Sequence, residues 1–537
     1  MKAVSILNKI VYGLIALVFL FIIGVNLLIQ RQDQYWSYYD FSVSQWILFV
    51  SSLIIAFALI FFGNMCAKRE STQNTKRYLI VLIISTVVLL VLQIVIVDNI
   101  FFQVGWDVSY LKEAAEQYVD NNLDEFHKHY FEKNPNNIFM YIITIASVAI
   151  GKSIGFNGYK ALVYFGVVLN NLSVFMTSLV VYRVSKKRAW GYIAYVVSAL
   201  LFGLSPWMIA PYSDIFSVLI SISGLYIFLV VRDSKIKWYV KPILVVILPG
   251  IAYAIKPTNI FILFAIAIYE LIQLIGRPDR LKALLRILIG IGAAVAVIFL
   301  TKAVSYKIID YKVNDNYVMP MSHYLLLGSN YNMVGQYNGM DDDYTCSFPS
   351  KEEKSKADTE EVIRRYKEMF PVQYIRHLCN KTYLNFSNGI LGWGKEAGFV
   401  NEMYENDSTL GNALRSYYYL GGDNILREEN AFPEGGENFS IFANMAQIIW
   451  YMLLILCFLQ SIRLLFLKKS MSEVDVVSLI SGITILGIFV FLSLFETNAR
   501  YLYSLLPIFV AYIFAIGHDY LPLGNKDNKN VGETYGS

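Results

Sequence analysis

The chain has 537 residues, of which 56% are hydrophobic and 16% charged, with a formal net charge of +4. Ordinary soluble chains carry roughly a quarter charged residues, so this composition excludes that class. Apolar runs of about 20 residues recur from end to end, the mark of a polytopic helical membrane protein; the four cysteines include no C-x-x-C, which argues against a zinc or redox motif.

In chain order, Lys2 and Lys9 precede an apolar run from Ile10 to Ile29. No small-residue cleavage site follows it, which predicts an anchor rather than a signal peptide. A polar turn, Arg31 to Ser44, leads to a second span, Trp46 to Cys66. The next loop carries Lys68, Arg69, Lys76 and Arg77 and is predicted to be cytoplasmic. The third span, Arg77 to Val97, then opens an acidic external segment, 98–158. Within it Val108, Leu111, Ala115 and Tyr118 recur at helical spacing, which predicts an amphipathic helix at the membrane surface.

Ile138 to Ile150 is apolar but too short to span comfortably. Counting it as a span would place the basic clusters at Arg183–Arg188, Arg232–Lys241 and Arg277–Arg286 outside. Keeping it in the interface places all three inside, as the positive-inside rule favours. Further spans are predicted at about 159–182, 189–207, 213–231, 242–255, 259–275, 285–305, 443–464, 476–495 and 502–517. The expected fold is an all-α polytopic bundle of about twelve transmembrane helices. It divides into an N-terminal hairpin (1–77), a transmembrane module (78–305), an extracytoplasmic α+β or irregular loop domain (306–442), and C-terminal spans with a cytoplasmic tail (443–537). Cys346 and Cys379 share that loop and could pair in an oxidising compartment.

Ionisable residues at the outer span ends are the candidate functional groups. Asp107 opens the amphipathic helix, where it is either a helix cap or a reactive carboxylate. Asp214 follows Pro211-Tyr212-Ser213, Lys256 precedes Pro257, Arg500 precedes the final span, and Glu132-Lys133 lies between the two interfacial helices. Single Lys or Arg residues at span ends usually only snorkel, but two acids and several bases on one face exceed that expectation. His127-Lys128-His129 reads as solvated surface, because residues two apart on a helix point apart. Asp341-Asp342-Asp343 reads as an exposed turn.

These stretches resemble the GT-C membrane glycosyltransferases, in particular the protein O-mannosyltransferases and lipid A aminoarabinose transferases. The likeness rests on Trp106-Asp107-Val108-Ser109-Tyr110, Phe131-Glu132-Lys133-Asn134-Pro135, Pro211-Tyr212-Ser213-Asp214, Lys256-Pro257 and Ala499-Arg500-Tyr501-Leu502. It covers about residues 78–305 and 443–517. An additional N-terminal hairpin and Asn134-Pro135-Asn136-Asn137 in place of a Pro-Pro pair depart from the family pattern. The resemblance implies transfer of a sugar from a polyprenyl-phosphate donor in the plasma membrane to an extracytoplasmic acceptor, with no nucleic acid involved. Asp107 would be the base, and Asp214 would orient the acceptor or share a divalent cation (Mg or Mn) with Asp107; a metal-free version fits equally. Lys133, Lys256 and Arg500 would hold the donor phosphate, and Glu132, Tyr110, Tyr501 and His323 would contact substrate. A membrane polysaccharide polymerase or ligase remains the alternative. A transporter of lipid-linked sugar suits the pattern less, since transporters place ionisable groups near the bilayer midplane.

Overall fold

The computed structural model describes residues 2–29, 39, 41–70, 75–105, 107–393, 400–403, 408–419, 436–466 and 472–514. Most of the Arg31-to-Ser44 turn, Trp106, Gly394 and the tail beyond residue 514 lie outside the described residues. In lipid every backbone N–H and C=O must find a partner within the protein, so apolar runs of this length fold as helices.

The first part of the chain forms α1 (Lys2–Leu28), α2 (Gln45–Arg69), α3 (Thr75–Ile100), a short strand β1 (Phe102–Val104), α4 (Asp107–Val119), α5 (Glu125–Lys133) and α6 (Ile138–Ser153). There follow α7 (Gly158–Ser185), α8 (Arg188–Ser198), α9 (Ser213–Asp233), α10 (Lys241–Ala252), α11 (Phe261–Leu274) and α12 (Arg280–Ile308). The polar region contributes α13 (Met321–Gly328), α14 (Gly339–Cys346), α15 (Lys351–Met369), α16 (Val372–Phe386), β2 (Val400–Met403) and α17 (Thr409–Tyr418). The chain then closes with α18 (Phe439–Phe466), α19 (Ser472–Leu494) and α20 (Leu506–Phe514).

Nine helices among the described residues are long and apolar enough to cross a membrane. The other three expected spans are shorter elements: α8, α10 and the stretch Ala499–Phe514. Helices α3 and α12 leave most of their apolar side chains uncovered, with only 22% and 11% of their apolar windows buried, as helices facing lipid would.

The shorter elements are where the helical ladder breaks. Helix α8 runs into a π-helical turn at Ala199–Gly203. That turn turns carbonyls away from the usual ladder, and neighbouring side chains bond to them. Asn170 and Tyr503 donate to the Phe202 carbonyl at 3.0 and 2.8 Å, and Gln93 donates to that of Gly203 at 2.7 Å. Helix α10 ends before Lys256, which is extended (φ −152°) as residues before proline prefer, and Pro257 opens the 3₁₀ turn leading into α11. A further 3₁₀ turn, Ala499–Leu505, is capped by Asn498, whose side chain accepts from the Arg500 N–H at 3.0 Å.

The two ends of the bundle differ in chemistry. One gathers ion pairs of Arg183 with Asp233 at 2.7 Å, Arg286 with Glu270 at 2.6 Å, and Arg188 with Glu70 at 3.8 Å. The opposite end holds the Asp98–Lys160 pair at 2.6 Å, Asp107, and the starts of α7 and α9. Both ends of α6 stay at this second end. Asn137, just before it, donates to Tyr130, the hydroxyl bonded to Asp107. At its far end Ser147 donates to the Gly158 carbonyl at 2.9 Å, and Tyr159 accepts from the Val104 N–H at 3.1 Å. Helix α6 therefore does not cross the bundle.

The polar region packs onto this end. Strand β2 pairs antiparallel with β1, Phe102 opposite Met403. Val334, Tyr383 and Leu384 bury themselves with Val25 of α1. Cys346 and Cys379 are both free thiols.

Candidate functional site

Three of the broken stretches deliver their polar residues to one point. Asp214 lies in the first turn of α9, where acidic side chains are favoured. The residue is 1% exposed, and Lys256, 6% exposed, donates directly to its Oδ1. The Arg500 Nη1 stands 3.7 Å from the Asp214 Oδ2. Aromatic rings wall the group. The Arg500 guanidinium lies 3.7 Å from the Tyr212 ring centre and 5.8 Å from that of Trp207, and the Lys256 ammonium 4.2 Å from that of Tyr501. Such cation–aromatic contacts favour charge where water is excluded. The Tyr501 hydroxyl donates to Glu496 at 2.9 Å. Burial pushes the Glu496 carboxyl up, and the negative charge of Asp107 adds to that rise while Arg500 and Lys256 oppose it. Asp107 is therefore an electrostatic neighbour of Glu496.

Asp107 is exposed and is the first residue of α4 rather than the residue before it. Its Oδ1 accepts from the Tyr130 hydroxyl at 2.7 Å, and Tyr130 accepts in turn from the Asn137 side-chain amide at 2.6 Å. Burial and the adjoining Asp107 charge hold the Tyr130 hydroxyl well above its ordinary range, so it remains a donor. The Tyr110 ring stacks on that of Tyr130, with centres 5.0 Å apart and planes within 15°. An exposed carboxylate held by one neutral donor can accept a proton.

The remaining expected contacts form a second group. The structure divides the three expected phosphate cations: Lys256 and Arg500 meet on Asp214, while Lys133 pairs with Asp342 at 2.6 Å. His323 lies 3.8 Å from that same carboxylate and shares a hydrogen bond with Thr345 at 2.9 Å. Burial pulls its imidazole down to about 4, so it is neutral at pH 7. Glu132 approaches His129 at 3.3 Å and accepts from Asn314 at 3.4 Å. Tyr324 on α13 links the groups, since burial and the charges of Glu496, Asp107 and Asp342 all raise its hydroxyl.

Two surface readings are corrected. His127 is buried rather than solvated, its Nδ1 2.7 Å from Asp124 Oδ1. Asp341 lies in a helix, buried, with Arg365 bonded at 2.7 Å, so the acidic triplet is no exposed turn. A divalent cation shared by Asp107 and Asp214 fits poorly. Both Asp214 oxygens already face cations, which leaves that carboxylate no oxygen for a shared ion, while Asp107 has its Oδ1 bonded to Tyr130. Among the described residues no three His, Cys, Asp or Glu side chains gather as ligands.

Sequence reasoning gave no role to Tyr130, Tyr212, Tyr324 or Glu496. Glu496 carried a signal, an acid four residues before Arg500 at a span end. Tyr130 carried none, because its partnership with Asp107 exists only once α4 and α5 pack together.

The profile of a family described as conserved hypothetical integral membrane protein matches residues 2–516. The chain belongs to that family. It is accordingly an integral membrane protein with several apolar helices. No curated protein and no solved structure matches it.

Proposed function

We propose that this family member is a membrane glycosyltransferase of GT-C type, moving a sugar from a polyprenyl-phosphate donor to an extracytoplasmic acceptor. The observation that carries the reading is the meeting of Asp214, Lys256 and Arg500, from three separate helix breaks, beside Glu496, whose carboxyl also feels the charge of the exposed Asp107. In this reading the three short apolar elements complete twelve crossings, and the Asp107 end faces away from the cytoplasm in the plasma membrane.

The acceptor hydroxyl attacks the anomeric carbon, the bond from that carbon to the phosphate oxygen breaks, and the acceptor proton passes to Asp107. The electron pair leaves with the polyprenyl phosphate, whose growing charge needs a cation. Arg500 supplies it. Its side chain is 12% exposed, whereas Lys256 is sealed between Asp214 and Tyr501. Lys256 and Asp214 are positioning residues that hold the guanidinium in place. Tyr130 orients Asp107, and Tyr110 extends the aromatic wall beside it. No step here requires a metal.

The test is incubation of the purified protein in vesicles with a polyprenyl-phosphate sugar labelled in the sugar. Label transferred to an acceptor glycan, lipid or protein supports the reading. Movement of intact lipid-linked sugar across the bilayer without transfer would replace it with a transporter.

A further inference from the structure

A pocket of about 480 Å³ lies along α5, outside the Asp214 cluster, lined among others by His129, Lys133, Tyr317, Cys346, Phe348 and Lys354. Lys133 follows Tyr130, the partner of Asp107, by three residues, about 4.5 Å along the helix. Residues four apart share a helix face, so His129 and Lys133 line the same side.

The pocket's charge is uneven. Lys133 is balanced by Asp342 at 2.6 Å, and His129 leans on Glu132 at 3.3 Å. Lys354 differs. It is 2% exposed and donates to the Asn316 carbonyl at 2.7 Å, and among the described residues no carboxylate lies within ion-pair distance of it. An ammonium has three donors, so two remain. A buried cation without a paired anion is unfavourable unless something supplies the missing charge. Burial depresses the Lys354 ammonium and Lys133 nearby adds to that, while Cys346 and the more distant Asp358 and Asp342 charges only partly oppose it. Phe348 and Tyr317 add aromatic lining, and the Tyr317 ring meets that of His129 with centres 4.5 Å apart. Aromatic faces beside a cation suit a ring that carries an oxyanion.

We propose that this pocket binds an anionic sugar, its phosphate or carboxylate held by Lys354 and Lys133 and its ring flanked by Tyr317 and Phe348. Its role as the subsite of an acidic acceptor rests on the transferase reading; binding itself does not. The position of the pocket on the helix whose Tyr130 holds Asp107 would carry an acceptor hydroxyl toward the base.

Cys346 is an exposed thiol in the pocket wall and reports occupancy. The experiment follows labelling of Cys346 by a neutral maleimide in the detergent-solubilised full chain, with Cys346→Ser defining the background. Glucose 6-phosphate and glucuronate arms separate phosphate from carboxylate, methyl glucoside is the neutral control, and a polyprenyl phosphate tests a lipid source. The expected result is severalfold slower labelling with one or both anionic sugars and none with methyl glucoside. Lys354→Gln removes the protection, and if that variant does not fold, the exposed Tyr317→Ala weakens it. Equal protection by methyl glucoside, no protection by either anionic sugar, or protection by polyprenyl phosphate alone would overturn the proposal. Protection is read without turnover, so a chain that binds but does not transfer sinks only the transferase reading.

Discussion

Lys256 and Asp214 are a buried ion pair, and buried pairs respond asymmetrically to substitution. Removing one partner leaves an uncompensated charge and costs about 3–5 kcal/mol, whereas replacing both with apolar residues is often neutral. Lys256→Met alone is therefore expected to lower the unfolding midpoint in detergent, and Lys256→Met combined with Asp214→Leu to recover it. Sugar transfer should stay lost in the double variant, because Arg500 loses the anion that places it. Recovered stability together with recovered transfer would mean that the pair only packs. Arg500→Lys keeps the charge but not the planar group lying on Tyr212. Transfer should fall by roughly tenfold or more, short of the 10²- to 10³-fold typical of deleting a charge-stabilising donor; unchanged rates would assign the phosphate elsewhere. The sequence announced Asp214, Lys256 and Arg500 because charges interrupt apolar runs there. It did not announce that Lys133 goes to Asp342, since a lysine between two interfacial helices has no partner written into its neighbours.

At the scale of elements, the loop after α19 presents Glu496 and Arg500, and it is held from outside. Lys381 of α16 donates to the carbonyls of Gly328 at 2.8 Å and Phe495 at 2.6 Å, and the Thr497 N–H donates to Gly335 at 2.8 Å. A Cβ on Gly328 would stand 2.1 Å from the Leu494 carbonyl oxygen, and Gly335 has φ +77°. Gly328→Ala should thus push α13 off this loop and reduce transfer while Asp107 and its Tyr130 bond stay in place; full activity would show that the loop needs no such support. Burial pulls the Lys381 ammonium down to about 7, with Glu496 working against it. The folded state therefore binds fewer protons than the unfolded one between about 7 and the ordinary lysine value near 10.5. This group's contribution to stability rises with pH across that window and is lost as pH falls through 7. Thermal unfolding between pH 7 and 10 should lose part of that upward slope in Lys381→Met, and an identical slope would place the titration elsewhere. The long spans and the proline break at 257 were legible from apolar run length and from Pro itself. The π turn at Ala199–Gly203 was not, because the residues that satisfy its carbonyls, Asn170, Tyr503 and Gln93, come from three other helices.

Across the whole molecule, the ends separate a basic side from the side that carries Asp107 and the polar region. Helix α6 returns to its own side, so the basic clusters near Arg183, Arg232 and Arg277 share one face, the side the positive-inside rule assigns to the cytoplasm. A cysteine introduced at Lys186 should resist an impermeant reagent in intact cells, and one at Ser350 should react. The reverse pattern would invert the site. The same arrangement explains why the fold class could be read from composition while the spans could not all be counted by length. Helices α8 and α10 are short because the helical ladder breaks at the π turn Ala199–Gly203 and ahead of Pro257. The most direct test of the central claim is sugar transfer by Asp107→Asn beside the unaltered protein, with thermal unfolding measured on both. The swap is nearly isosteric and the Asn oxygen can still accept from Tyr130, so the expected result is an unchanged unfolding midpoint with transfer reduced by roughly 10²-fold or more, the scale of losing a general base. A well-folded Asp107→Asn protein with full transfer activity would contradict the account.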